Sequence, residues 1–506
     1  HATDSQHRLL QPFCIAYFCF SYSMLFGTLL CCTCTGIILL IVIMPRLYTI
    51  LLIPCLSFPL LCGNAFPDAT TETKTLRRFA DPVTIDGLHM PPLNGKNLSG
   101  FRLFTFRGGV PVSIPFQIDQ RDSRGDWVWD TVYTHNLQMT YDEDVGVVNR
   151  LGKLHHGLTY DDQDPPDQEL LDGNDVLVFM ARDTGDRNIR ANQLLNTDML
   201  QEIEVLDPVS GGQGWAYIAH YETAPPPPSP GRYMRYLPEE RQIISPVYEF
   251  TYSEDHVALL KDLAIDGIPI LDRVNIQGDV ELKVGFINKN LHFNEEDIHG
   301  HVEGCIAGPV RIIKRNIAHL KVGKLLRTPE VSCDHFYYPS HAEVPVCLSM
   351  RFPVVSTSMR LTADYRNSPF YRVVIGSGRQ HHATTAESAA TQQVDQNWIA
   401  LDGATGSVIS LVTLPQEIEL FARASPYLHQ ITDQDTDSGC NCVAGFQIHA
   451  GEDCPPGEHT LYGTYLISTQ PFESGNENEL LDLIYRKLLF RIESSPAPAP
   501  DRPPAH

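Results

Sequence analysis

Four residues in the stretch D-I-H-G-H-V-E stand at every second position: Asp297, His299, His301 and Glu303. On a strand, alternate residues share one face, so two imidazoles and two carboxylates would meet there, with Ile298 and Val302 on the other side. Imidazole with carboxylate is a donor set for a transition metal. The same alternation is what any half-buried strand shows, and that plainer account is favoured. A second candidate is Asp334-His335-Phe336-Tyr337-Tyr338, with His341 close behind, lying between Cys333 and Cys347. His335, Tyr337 and Tyr338 are the residue types that lyase chemistry needs, where one group removes a proton and another protonates the leaving oxygen. They would equally suit a carbohydrate-binding loop. An aromatic strand end packed on the core is favoured over both.

Acidic loops form the next group. D-Q-R-D-S-R-G-D-W-V-W-D sets Asp119, Asp122, Asp126 and Asp130 around Gly125. Calcium takes several hard oxygen ligands, and such a cluster is a candidate cation site. Asp and Gly also serve tight-turn geometry, and a hairpin turn is the favoured reading. Trp127 and Trp129 would then leave the turn on a strand, where two exposed indoles could stack on a sugar ring. Asp433, Asp435 and Asp437 read D-x-D-x-D-S-G, the opening of a calcium loop, but Ala444 stands where an EF-hand needs its bidentate Glu. A disulfide-pinned loop is favoured there, with calcium still open. Asp161, Asp162, Asp164, Asp167 and Asp172 make a third acidic loop of the same kind. The adjacent pairs His155-His156 and His381-His382 would point to opposite faces of a strand and are read as loop residues.

Other chemistries leave no trace. There is no G-x-S-x-G elbow, no phosphate-binding G-x-x-x-x-G-K, no G-x-G-x-x-G after a strand and no H-E-x-x-H. C-x-x-C-H is absent too, so neither a nucleotide cofactor nor a covalently held c-type haem is expected. Lys and Arg number 38 against 61 Asp and Glu, a formal net charge of −23. A surface of that sign repels nucleic-acid phosphates and anionic lipid alike. It suits a soluble protein that uses divalent cations.

The elements that must hold these groups begin after a greasy N-terminus. Only Asp4, Arg8 and Arg46 are charged before Phe66. Met44-Pro45-Arg46 is a short positive head, residues 47–61 an apolar middle, and Gly63-Asn64-Ala65 offers small residues to a signal peptidase. Residues 44–65 are therefore read as a signal peptide and 1–43 as lying upstream of the true start. The alternative is a pair of membrane helices, since residues 13–43 are long enough to span a bilayer. A lipid-modified Cys62 is disfavoured because Leu61 is not small. Either way the bulk of the chain is expected in the periplasm or outside the cell, touching membrane only through the N-terminal segment if that is uncleaved. Six cysteines follow: Cys305, Cys333, Cys347, Cys440, Cys442 and Cys454. An even number in an exported chain implies disulfides. Local pairs are the expectation: Cys333 with Cys347, and Cys440 or Cys442 with Cys454. Cys440-Asn441-Cys442 is not zinc spacing.

Residues 224–230 read A-P-P-P-P-S-P, a stiff polyproline linker, and 494–506 a Pro-rich tail. They divide the exported part into a domain at 66–223, a linker at 224–231 and a larger domain at 232–493. Short alternating or apolar runs recur at 110–119, 175–181, 279–287, 310–314, 318–322, 354–361 and 371–375, punctuated by Gly and Pro, and read as strands. Helical spacing is confined to 479–490, with Leu480, Ile484 and Leu488 on one stripe, and 256–263. The fold class expected is mainly β: an N-terminal β-sandwich followed by a larger antiparallel β-sandwich, with few helices.

Three stretches carry a resemblance: I-P-F-Q-I-D-Q-R-D at 114–122, D-G-N-D-V-L-V-F-M-A-R-D-T-G-D-R at 172–187 and A-G-P-V-R-I-I-K-R at 307–315. They resemble an uncharacterised group of secreted bacterial β-proteins, in which a small sandwich precedes a large one similar to galactose mutarotases and some polysaccharide lyases. The resemblance covers about a tenth of the chain, implies the mutarotase-like sandwich and a link to carbohydrate, and supplies no catalytic residues. The first expectation is thus a carbohydrate-binding or carbohydrate-active protein with polysaccharide as partner. A non-enzymatic scaffold among envelope proteins is the second, and a metal or redox accessory protein the third.

Overall fold

Gly and Pro leave little room between runs of β-branched and aromatic residues, and the chain responds with hairpin after hairpin. The computed structural model describes residues 71–132, 169–253, 260–284, 287–322, 326–350, 354–368, 370–376, 379–382, 397–430, 440–451, 457–471 and 477–494. All of them fall in one unit, 67–506. Strands dominate, every pair is antiparallel, and the described helices are the short segments Ala191–Leu195, Gln416–Glu419 and Glu477–Tyr485. The chain is mainly β and of the sandwich class.

The N-terminal module is a sandwich of two sheets. One holds Pro82–Asp86, Val176–Met180 and Phe116–Asp119 in that order. The other runs Leu489–Ser494, Met199–Leu206, Gln213–His220, Phe101–Arg107, Val110–Ser113. Ile85, Phe101, Leu103, Leu177, Phe179, Ile203 and Ile218 fill the space between them. Residues 110–119, expected as one strand, break at Ile114-Pro115 and serve both sheets. Proline has no amide to donate to a ladder, so the break lets the strand change sheets.

The C-terminal module layers three sheets around one core. A meander, Arg235–Leu237, Gln242–Ile244, Tyr248–Tyr252, Leu260–Ile265 and Ile268–Pro269, forms the first. A second, five-stranded sheet runs Ile287–Asn294, Arg273–Val284, Val354–Ser368, Cys440–Ala450, Ala422–Gln430. The largest has eleven strands, with Gly457–Ser468, His341–Met350, Val331–Tyr337, Ile312–Val322 and Ile298–Ala307 adjacent near one end. Tyr248, Phe250, Ile312, Tyr337, Met359, Leu401, Phe446 and Ile448 belong to the shared core.

Three expectations change. Residues 260–263, the described part of the helix expected at 256–263, are strand: Leu260–Ile265 pairs with Tyr248–Tyr252, and 256–259 lie outside the described residues. The helix expected at 479–490 ends at Tyr485, and Leu489–Ser494 returns as a strand alongside Met199–Leu206. Leu488, Phe490 and Ile492 pack on the N-terminal core, so the large domain does not run unbroken to 493; its last strand belongs to the first module. Thr131–Val132 makes the reciprocal exchange, pairing with Gly304 and Cys305 of the large sheet. Linker residues are engaged as well, since Arg102 Nε donates to the Pro226 carbonyl.

Candidate functional site

The stretches that carry the family resemblance come together in space. Gln117 Oε1 accepts from the amides of Val310 and Arg311, at 2.9 and 2.8 Å, and Gln117 Nε2 donates to Asp119 at 2.7 Å. Arg311 Nε donates to Asp119 Oδ2 at 2.7 Å and Nη1 to the Tyr338 hydroxyl at 3.0 Å. The pair is shut away from water, with side-chain exposures of 4% for Arg311 and 1% for Asp119. Burial opposes the Arg311 charge, but Tyr338 and Asp119 outweigh it and hold its pKa above the usual value. Gly308 permits the approach, because a Cβ there would stand 2.0 Å from Gln117 Oε1. Val176, Val178 and Met180 meet Trp127, Ile306, Val310, Ile313 and Tyr338 in the same joint. These motifs are therefore the fastening between the modules.

The acidic and aromatic residues of 119–130 are consumed by that fastening, which corrects two readings. Asp119, Asp122 and Asp126 do not converge as calcium ligands. Asp119 is paired with Arg311, Asp126 with Arg315 at 3.0 Å, and Asp122 Oδ1 accepts from the Arg124 and Asp126 amides in the turn. Nor is Trp127 an exposed platform: it is buried, stacked by Arg121 at 3.7 Å, and donates to Asp334 at 3.0 Å. Trp129 lies under Arg315 and fills the space that Gly304 leaves open. Asp130 accepts from the Ala307 amide.

The proton-transfer candidates are equally inaccessible. His335, Tyr337 and Tyr338 are all buried. His335 Nδ1 lies 3.0 Å from Asn316 Nδ2 and 3.1 Å from the Tyr337 hydroxyl. Burial, reinforced by Lys314, pushes its pKa down to about 3. Tyr337 bonds Tyr252, and burial drives its pKa well above the usual value. Neither residue can meet a polymer without the core opening. Next to them, register places Cys305, Lys314 and His335 side by side on three neighbouring strands. Lys314 Nζ sits 3.1 Å from the Tyr252 ring centre, and burial lowers its pKa to about 7. Sequence reading missed this buried lysine, because K-R after I-I resembles a surface strand end.

Asp297, His299, His301 and Glu303 do not form one stripe. Asp297 closes the turn Glu295–Asp297 and accepts from the Asn294 amide at 3.0 Å, and the strand starts after it. An irregularity between Val302 and Gly304 then breaks the alternation, so Glu303 is buried while His299 is exposed. His299 instead stacks on His319 across the strand pair, centroids 5.7 Å apart. Burial, then Arg327, pushes the His319 pKa down to about 4. Among the described residues no group of three or more His, Cys, Asp or Glu is placed to hold a metal ion.

Of the cysteines, Cys333 and Cys347 form the expected disulfide, with Cα atoms 6.1 Å apart. Cys305 does not join a disulfide; it is a buried thiol whose pKa burial pushes up to about 12. Cys442 is buried in the large core. The side chains of Cys440 and Cys454, the residues Asp433, Asp435 and Asp437, the pair His155-His156, and Asp161, Asp162, Asp164 and Asp167 lie outside the described residues. Asp172 caps its own turn, accepting from the Asn174 amide. His381 and His382 stand in a strand, Arg379–His382, rather than a loop.

Among the described residues, the outward face of the five-stranded sheet is open to solvent at Gln277, Asp279, Arg423 and His449. Alternation sends Ile276, Met359, Leu361, Phe446 and Ile448 inward. The neighbouring positions turn outward, and their register makes rows across the sheet. Gln277, Arg360, Gln447 and Ser425 form one; Asp279, Ser358, His449 and Arg423 the next. Gln447 Nε2 donates to Ser358 at 3.3 Å, and His292 pairs with Asp279 at 2.8 Å. Gly445 lies between Thr362 and Tyr427, where a Cβ would stand 2.1 Å from the Leu361 carbonyl oxygen. With no side chain in that place, the Arg360 guanidinium reaches across to lie 4.4 Å from the Tyr427 ring centre. At the end of the same strands a cleft of about 340 Å³ opens, lined by Leu420, Phe421, Arg423, His449 and Gly451 among others. Leu420 is 87% exposed there. Hydrogen-bonding side chains in rows, one stacked aromatic and, at the end, a cleft where Leu420 and Phe421 stand beside Glu419, Arg423 and His449 can orient a polyhydroxylated ligand and cover its apolar faces. Sequence reading missed the face because polar alternation is what any solvated strand shows.

The sequence matches no protein-family model and no curated protein. Among solved structures the chain is similar to a glycosyl hydrolase family 38 protein from Enterococcus faecalis, with TM-score 0.44 and 7% identity over 84% of this chain and 47% of that one. It is also similar to an α-mannosidase from Enterococcus faecalis V583, with TM-score 0.40 and 8% identity over 84% and 44%. The chain spans just under half the length of these proteins, and a likeness of this degree carries none of their chemistry over to it.

Proposed function

We propose that the protein is an exported carbohydrate-binding protein that holds polysaccharide on the outward face of the five-stranded sheet. The carrying observation is the Arg360–Tyr427 stack set among Gln277, Ser358, Gln447 and His449, next to the cleft at Leu420. Sugars expose hydroxyls that need donors and acceptors at fixed spacing, and a sheet repeats side chains every ~7 Å along a strand. Export is supported by the signal-like residues 44–65 and the Cys333–Cys347 disulfide. The test is affinity electrophoresis of the purified protein through gels containing neutral or charged polysaccharides. Retardation by at least one polymer, lost in Tyr427→Ala, is the expected result. Equal retardation of both proteins would remove this face from the account.

A second reading is a non-enzymatic subunit of an extracellular assembly. It is favoured by the joint, where two modules are fastened by buried ion pairs and exchanged strands. Stoichiometric co-purification with fixed partners, together with no polysaccharide retardation, would select it.

A further inference from the structure

The charge on the outward face does not match the charge of the chain. Asp and Glu outnumber Lys and Arg by 61 to 38. Yet on the outward positions of Val354–Ser368, Cys440–Ala450 and Ala422–Gln430, the described basic, imidazole and carboxylate side chains are Arg360, Arg423, His429, His449 and one carboxylate, Asp364. Asp364 is 1% exposed and does not reach the surface. The nearest outward carboxylates on the adjoining strand are engaged: Asp279 with His292 at 2.8 Å, and Glu281 accepting from Ser356 at 3.4 Å. Among the described residues no ion pair joins a carboxylate to Arg360 or Arg423; the exposed Glu419 lines the cleft with Arg423, and the Nε of Arg360 is buried, which leaves its terminal nitrogens to a ligand. Arginine donates in a planar fork that fits carboxylate and sulfate-like oxygens two at a time. In a chain this rich in acid, two arginines left to a ligand on one face are a selective feature.

Building on the carbohydrate reading, we infer that the bound polymer is anionic, its carboxylate or sulfate groups taken by Arg360 and Arg423, with Tyr427 holding the Arg360 guanidinium in place. The acidic remainder of the surface repels such a polymer, so its attraction is local to this face. It weakens with salt as the screening length falls from ~10 Å at 0.1 M to ~3 Å at 1 M.

The probes are dextran, carboxymethyl-dextran and dextran sulfate, which share a backbone and differ in charge, used in affinity gels with the full protein beside a panel of neutral polysaccharides. The expected result is retardation by one or both charged dextrans and none by dextran. It should weaken about tenfold in Arg423→Gln and in Arg360→Gln, the loss of one charge-assisted hydrogen bond, and vanish in 1 M NaCl. Which charged dextran binds identifies the acid group. Arg423 is exposed, so its variant keeps the fold, and unchanged thermal melting verifies this. Retardation by neutral polysaccharides alone overturns the anionic inference and leaves the carbohydrate reading standing. Retardation by charged dextran that neither arginine variant weakens overturns the inference too. No retardation by any polymer overturns both.

Discussion

Two arginine-centred arrangements in this molecule have opposite surroundings. Arg311 is sealed between the modules, with Asp119 and Tyr338 as hydrogen-bond partners and Trp127 and Phe336 rings around its guanidinium. Arg360 lies on an outward sheet face, stacked on Tyr427, with no carboxylate beside it among the described residues. Buried charge without a partner is costly, so the joint depends on its ion pair; Arg311 Nη2 has no hydrogen-bond partner there, but the pair is sealed from any ligand. On the open face Arg423 is exposed and water solvates it, whereas Arg360 is half-buried with its Nε out of contact with water. The richest motifs in the sequence therefore mark fastening, and the plainest strands carry the candidate ligand surface.

The sharpest way to break the contrast is Arg311→Ala. It leaves Asp119 buried without its counter-charge, and unfolding in urea should show a loss of about 3–5 kcal/mol. The double change Arg311→Met with Asp119→Leu should recover much of that loss, because removing a buried pair whole is far cheaper than breaking it. Next in size is the disulfide. Cys333→Ser opens a link spanning 14 residues, and a loop of that length predicts a cost of about 3 kcal/mol in the same assay.

A smaller effect reads the core behind the joint. Lys314 has a folded pKa of about 7 against an ordinary 10.5. Between those values the unfolded chain binds more protons, so this group makes stability rise with pH from 7 upward. Cys305, raised to about 12 from 9, acts oppositely above pH 9. The Cys305 effect is common to both proteins, so the stability difference between wild type and Lys314→Met is expected to change between pH 7 and 10.5. The variant should be the more stable at pH 6, and its profile should be flatter between about pH 7 and 9. The smallest effect belongs to the open face. Arg423→Gln should shift unfolding by no more than about 0.5 kcal/mol while weakening polymer retardation. A large loss of stability there would erase the difference between the two regions.

Much of the fold was legible from alternation and turn residues. Residues 175–181 form the strand Val176–Met180, and 354–361 lie within Val354–Ser368. The disulfide was legible from the short spacing of Cys333 and Cys347 behind a signal-like N-terminus. The C-terminal helix was overextended because two periods overlap there. Leu480, Ile484 and Leu488 fit a helical stripe, while Leu488, Phe490 and Ile492 fit a strand, and packing on the first module decides for the strand after Tyr485. The joint was not legible, since Gln117 and Asp119 find Val310 and Arg311 nearly two hundred positions away. For the same reason calcium stands as an alternative to the favoured hairpin turn at Asp119, Asp122 and Asp126: the guanidinium partners, Arg311 for Asp119 and Arg315 for Asp126, are invisible in local sequence. The metal stripe failed at both ends: Asp297 belongs to a turn before the strand, and an irregularity in Ile298–Ala307 falls at Glu303. Such a bulge leaves no reliable mark on composition.

Hydrogen–deuterium exchange of the full protein, with and without the polysaccharide that retards it most, tests the central claim most directly. Slower exchange confined to Val354–Ser368, Ala422–Gln430 and Cys440–Ala450, with residues 115–130 and 307–315 unchanged, is the predicted result. Slower exchange at 115–130 and 307–315, with those three strands unchanged, would contradict it.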